Sequence, residues 1–321
     1  MISTVSRLGK FAGKAPWGFS FLGAAAVFLA TIIFTEGAGA GQIVTTALTF
    51  GTMYVIVALG QMYVITAGPG NVDLSIPSTI ALAGAVSMKI MDGNDALILW
   101  GLMAAVGVGI AVGCFNFALI RLLSIPPIIA TLSASFLVQS ASIAYGRGLR
   151  IRPPGAFAEF TTGRIWGIPT LAIVVIFLTI IGAAVLHRTV YGRSVTAIGQ
   201  NQRAAELAGI RVDRVRWRTY VICASLAALC GAVLAGFSGG TSLNMGEEYL
   251  LASIAVVVIG GSSVAGGQSN VAGLWGASLF MYLLVTMLNT FGAGAGIRMI
   301  MTGLIIITII TIAGGSKPSR T

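Results

Sequence analysis

The chain has 321 residues, of which 56% are hydrophobic and only 9% charged, with a mean hydropathy of +0.95. A soluble domain carries about 25% charged residues, so a soluble fold is excluded: it has nowhere to hide this much apolar surface. The formal net charge of +10 leaves two readings, a nucleic-acid binder or a membrane protein with uneven loops, and the distribution of the charge decides between them.

About 20 apolar residues are needed to cross a hydrocarbon core of about 30 Å, which allows roughly ten spans here. Backbone groups in lipid must bond internally, so helices are expected. The runs Leu171–Leu186 and Leu304–Ala313 lack the alternation of a membrane β-barrel. The expectation is an all-α integral membrane protein, with residues 1–321 forming a single transmembrane domain.

In chain order, Met1–Pro16 carries Arg7, Lys10 and Lys14 ahead of an apolar run that continues to about Thr35 without a small-residue cleavage site. It reads as a retained first span. Spans are expected at 17–36, 43–66, 76–91, 96–119, 128–145, 166–186, 219–236, 250–262, 271–291 and 297–314, ten in number, some of them broken. Both termini then share one side. That side holds thirteen basic and three acidic residues, including all seven arginines from Arg188 to Arg218. The other holds six of each, with Glu247 and Glu248 among the acids. The positive-inside rule makes the first side cytoplasmic, so the basic charge reports orientation and contact with membrane lipid, and no nucleic acid is expected as partner.

Three segments interrupt the apolar pattern. The first, 67–77, contains Gly68, Pro69, Gly70, Asn71, Asp73, Ser75 and Pro77. A carboxylate beside unwound backbone near membrane depth lines a cavity or holds a broken helix; the plainer alternative is an interfacial turn with Asp73 capping the next helix. The second is the stretch 187–218, where Asn201 is placed to cap a short helix over 202–208 and Gly209 to end it. Such a helix is about 10 Å long, a size that seats in a partner's groove; the alternative is a loop whose arginines only meet anionic lipid. The third, Gly260–Asn270, is glycine-rich, yet the chain has no G-x-x-x-x-G-K-[ST] and so no phosphate loop of that type. It reads as a tight turn or a substrate contact. Cys114, Cys223 and Cys230 fall in apolar runs and read as packing residues. So do most glycines, including the close-packing pairs Gly109/Gly113 and Gly273/Gly276.

Taken together, Gly70–Ser75 followed by Ile80–Val86, Ile128–Leu132 with Phe136, Gly192–Gly199, Asn201–Val212 and Ile259–Gly267 resemble, in order and spacing, the permease subunits of bacterial ABC importers of the ribose/monosaccharide type. That group also includes autoinducer-2 and galactofuranose systems, and the resemblance covers about residues 45 to 315. The family segment reads Gly-Ile-Asp-Leu-Ser-Val-Gly, whereas here Asn71 and Val72 precede Asp73 and Pro77 replaces a glycine. The resemblance implies two permease subunits, identical or homologous, two ATP-binding subunits, and a periplasmic solute-binding protein at a bacterial inner membrane. It implies no chemistry and no cofactor in this chain, with ATP and Mg bound by the partner subunits. On this reading 188–218 is a cytoplasmic coupling loop, with Asn201, Arg203, Glu206 and Gly209 at the ATPase contact.

The residues expected to border the translocation path are Gln61, Asn71, Asp73, Ser75 and Asn289, polar groups with least reason to face lipid. A secondary transporter driven by an ion gradient is the alternative. It is disfavoured by the scarcity of ionisable residues deep in the expected spans, where only Asp73 qualifies.

Overall fold

The computed structural model describes residues 18–146 and 151–314, so Arg7, Lys10, Lys14, Arg147, Arg150, Lys317 and Arg320 of the charge distribution lie outside the described residues. Each expected span overlies a helix. The first five helices are α1 (Gly18–Phe34), α2 (Ala40–Thr66), α3 (Ile76–Met91), α4 (Ile98–Leu122) and α5 (Pro127–Gly146). Then come the short α6 (Gly155–Thr162), an antiparallel hairpin of β1 (Arg164–Ile165) and β2 (Ile168–Pro169), and α7 (Thr170–Arg188). After these follow α8 (Val190–Gln200), α9 (Gln202–Leu207), α10 (Val212–Phe237), α11 (Glu248–Ile259), α12 (Val271–Thr290) and α13 (Ala295–Gly314). Among the described residues, six elements are long and apolar enough to cross a membrane: α2, the stretch Asp95–Leu122 containing α4, α5, α7, α10 and α12.

Helix α10 is the axis of the bundle. Glycines let its neighbours approach to backbone contact, which is how helices associate where lipid offers no hydrophobic drive. Gly109 and Gly113 of α4 lie against Ser225 and Val221, Gly60 of α2 lies against Cys223, and Gly231 of α10 itself lies on the Ile80 carbonyl of α3. Cys223 and Cys230, seven residues apart, are both buried on the side facing α2. Gly273 rests on Gly260, and Gly276 on Ser20 and Phe21 of α1. Outward, Leu29, Ile33, Phe136, Leu137, Phe177 and Ile181 form an exposed apolar belt that only lipid or another apolar surface satisfies.

Two expectations change. Helix α10 starts at Val212, not near 219, so Arg214, Arg216 and Arg218 belong to its first two turns. And Glu247 and Glu248 do not sit in a loop at the far side. After Gly239 and Gly240 the chain doubles back into the bundle, with the Met245 methyl against Gly84 and Gly246 packed on Pro77 at the start of α3. The Tyr249 ring then meets Tyr54, midway along α2, at 5.2 Å. Helix α11 therefore begins halfway down the bundle. Its 12 residues extend about 18 Å at about 1.5 Å each, short of the roughly 30 Å of a hydrocarbon core. It is a half-helix with two glutamates at its inner start. Their depth is set by the fit of Gly246 on Pro77, a tertiary contact that no local pattern announces.

A Cβ on Gly231 would collide with the Ile80 carbonyl, whereas one on Gly107 meets nothing within 4 Å. Gly231→Ala should therefore cost at least the roughly 1–3 kcal/mol typical of overpacking and lower the melting temperature of the purified protein. Gly107→Ala should leave it unchanged or slightly raised.

Candidate functional site

The break between α2 and α3 is held by side chains from four helices. Asp73 is fully buried, and its Oδ1 accepts from Ser75 N at 2.9 Å, Ser75 Oγ at 2.6 Å and Asn116 Nδ2 of α4 at 3.2 Å. Gln61 of α2, also fully buried, grips the backbone of Asp73 reciprocally, its Nε2 donating to the carbonyl and its Oε1 accepting from the amide. Thr131 of α5 donates to Val72 O and accepts from Leu74 N, both at 3.1 Å. Asn71 accepts from Tyr220 Oη of α10 at 3.2 Å. These bonds satisfy backbone that has left the helix, which is what permits irregular chain inside such a bundle. Pro77 falls in the first turn of α3, where its missing N–H has no intrahelical partner to lose. Asp73 Oδ2 and Asn116 Oδ1 are buried without a partner among the described residues.

The stretch after α7 folds into two capped helices. Thr189 caps α8 through Gly192 N, and Asn201 caps α9 through Ala204 N at 3.0 Å. Gly209, at φ 82°, closes α9: its N–H bonds Glu206 O, and Ile210 N–H bonds Ala205 O. This is the paired C-terminal bonding that a left-handed glycine permits. Arg203 and Glu206 are exposed on α9 with N···O of 3.6 Å. A chain of polar contacts continues from there: Glu206 accepts from Gln202 at 2.9 Å, and Gln202 accepts from Arg216 of α10 at 2.8 Å. Under α8, Tyr191 stacks on Tyr63, and burial pushes its phenol up.

The glycine-rich turn 260–270 meets both of these regions. Gly267 N donates to Thr66 O at the end of α2, Gly266 abuts Gly68 in the break, and Gly199 of α8 abuts Thr66 and Gly267. A concavity of about 310 Å³ opens there, lined by Pro69, Gln200, Asn201, Gln202, Arg216 and Ala265 among others. Among the described residues no group of three or more His, Cys, Asp or Glu is placed to hold a metal.

Four of the five expected path residues, Gln61, Asn71, Asp73 and Ser75, thus come together, all buried. Asn289 does not join them. Helices α2 and α12 run antiparallel, with Gly51 on Leu279 and Gly267 on Thr66, so Asn289 lies about 27 Å from the start of α12 at about 1.5 Å per residue. It is exposed there and accepts from Arg298. Reasoning from sequence missed Asn116, Thr131, Tyr220, Gln202 and Arg216. The signal for Asn116 was present, since it stands alone as an amide in the apolar run 98–120.

Residues 43–310 match the family described as branched-chain amino acid transport system / permease component. The chain is 31% identical over 261 residues to the ribose import permease protein RbsC of Bacillus subtilis, covering 80% of each. It is 30% identical over 282 residues to the autoinducer 2 import system permease protein LsrC of an Enterobacter species, covering 85% of this chain and 82% of that one. It is 28% identical over 280 residues to the fructose import permease protein FruF of Bifidobacterium longum, covering 85% and 77%. No solved structure matches significantly.

The amide of Asn116 bonds both Asp73 and Ser75. Asn116→Leu should strip two bonds from a buried polar cluster and destabilise the protein by about 1–3 kcal/mol, read as a lower melting temperature in detergent.

Proposed function

The chain belongs to the family described as branched-chain amino acid transport system / permease component, and on that premise we propose how it carries solute. It is a multi-pass permease subunit of an ABC importer of the inner membrane, and it performs no bond chemistry. Family membership decides against ion-gradient transport. The scarcity of deep charge no longer does, because Glu247 and Glu248 start a half-helix inside the bundle.

The solute we propose is a monosaccharide or similar small polar molecule, in keeping with the ribose and fructose import permeases it resembles. Ten crossings, the last-but-two completed by a re-entrant loop plus α11, leave both termini and the α8–α9 end cytoplasmic, where seven arginines agree with the positive-inside rule. Within the single transmembrane domain, 188–218 is the coupling segment. Two ATP-binding subunits dock there, a second permease subunit, identical or homologous, completes the pore, and a periplasmic binding protein delivers the solute. The chain needs no cofactor of its own, ATP and Mg being held by the partners.

The observation that carries this reading is α9, a capped and exposed helix with Asn201, Arg203, Glu206 and Gly209 on one compact element, which follows directly on α8, whose Gly199 and Gln200 abut both breaks in the bundle. Displacing α9 pulls on α8, and α8 presses on Thr66, Gly68 and Gly267, a rigid-body route from ATP-driven closure to pore opening. Gln61, Asn71, Asp73 and Ser75 border the path at the moving break, and Asn289 borders it at the opposite mouth.

Glu206→Arg should leave membrane yield unchanged and cut ATP-driven uptake roughly tenfold, within the 1–3 kcal/mol usual for coupling between sites. Normal uptake with normal subunit co-purification would remove the docking role. Asp73→Asn and Asn289→Leu, assayed for uptake, folded yield and basal ATPase activity in reconstituted membranes, are expected to lose uptake while folding survives. Should Asp73→Asn lose folded protein in proportion to uptake, Asp73 is a cap for α3 and nothing more.

A further inference from the structure

The half-helix α11 brings to one level of the bundle a set of groups that neither the break nor α9 uses. Glu247 and Glu248 are exposed at its start, and Asn244 is exposed just before it. Glu248 immediately precedes Tyr249, whose ring packs on that of Tyr54. Tyr54 and Tyr249 are 9% and 5% exposed, and their rings pack edge to face. Neither hydroxyl hydrogen-bonds to another group among the described residues.

This level lies midway along the bundle. Tyr54 stands midway along a helix of 27 residues, and Gly246 packs on the first turn of an α3 that runs on to Met91. Two carboxylates at that depth do not face lipid, and the described residues offer them no cation. They must face water, and a water-filled space halfway through a permease is its path.

We propose that Glu247, Glu248, Tyr54 and Tyr249 form the solute-contacting wall of that path for the neutral monosaccharide proposed above. Carboxylates are acceptors only and take the O–H donors of a sugar. The tyrosine hydroxyls supply both donor and acceptor, and the aromatic edges give the C–H face of the ring an apolar surface. The same pair of negative charges repels sugar phosphates and sugar acids. This rests on the importer reading above and adds a contact site to it.

The test uses the complete importer in proteoliposomes. Wild-type protein should take up neutral monosaccharides in an ATP-dependent manner; if it takes up none, the solute class fails while family membership stands. Given uptake, Glu248→Gln and Tyr249→Phe, both close to isosteric, should each reduce it about tenfold with basal ATPase activity and folded yield intact, the scale on which a lost charged or polar contact acts. Unchanged uptake in both would overturn the proposal while leaving the importer reading standing.

A second measurement does not depend on turnover. Asn244→Cys, corrected for labelling of the parent chain, should react with hydrophilic thiol reagents and favour a cationic over an anionic one by roughly tenfold, as a local potential of a few kT requires. The ratio should fall towards one when Glu247→Gln and Glu248→Gln are added, and transported sugar should slow the reaction. No labelling in folded importer, or no charge preference, would place these glutamates away from the path.

Discussion

Everything at the centre of this protein follows from one constraint: backbone that leaves the helix inside an apolar bundle must find its hydrogen bonds among its neighbours. The segment 67–75 does so through Gln61, Thr131, Asn116 and Tyr220, one side chain from each of α2, α5, α4 and α10. Because the partners come from four helices, the break is a knot that ties them together. Its geometry cannot change without a rearrangement felt in all four, which suits a transporter that must pass between a small number of discrete states.

Helix α10 extends that knot towards α9. Arg216, Tyr220 and Cys223, spaced four and three residues apart and so on one face, contact in turn Gln202 of α9, Asn71 of the break and Gln61 of α2. One stripe of one helix thus touches α9, the break and the helix that precedes it.

Much of this was legible in the sequence because it depends on local quantities. Apolar length locates every helix of the bundle, and Asn201 and Gly209 bracket α9 by capping chemistry alone. The glycine pairs at 109/113 and 273/276 mark close packing. What was not legible depends on contacts distant in the chain. The depth of Glu247 and Glu248 follows from Gly246 meeting Pro77, and a loop that dives into the bundle has the same composition as one that stays outside. Asn289 was grouped with the break on polarity, which carries no information about which end of a helix a residue occupies. For Asp73, the capping alternative and the pathway reading share the same bonds, since the oxygen that accepts from Ser75 N also anchors Asn116.

The junction of Gly68, Gly199, Gly266 and Gly267 is built almost entirely of main chain, with no room for a methyl group at three of its four members. Side-chain interfaces absorb displacement by changing rotamers, as the flexible ends of Lys, Met or Gln do. A main-chain interface lacks that slack and behaves as a rivet. A substitution at Gly199 or Gly267 therefore acts on the stroke of the machine more than on its solvent-facing chemistry: it spreads the plates the rivet joins, and a movement entering at one plate arrives at the other shortened or not at all.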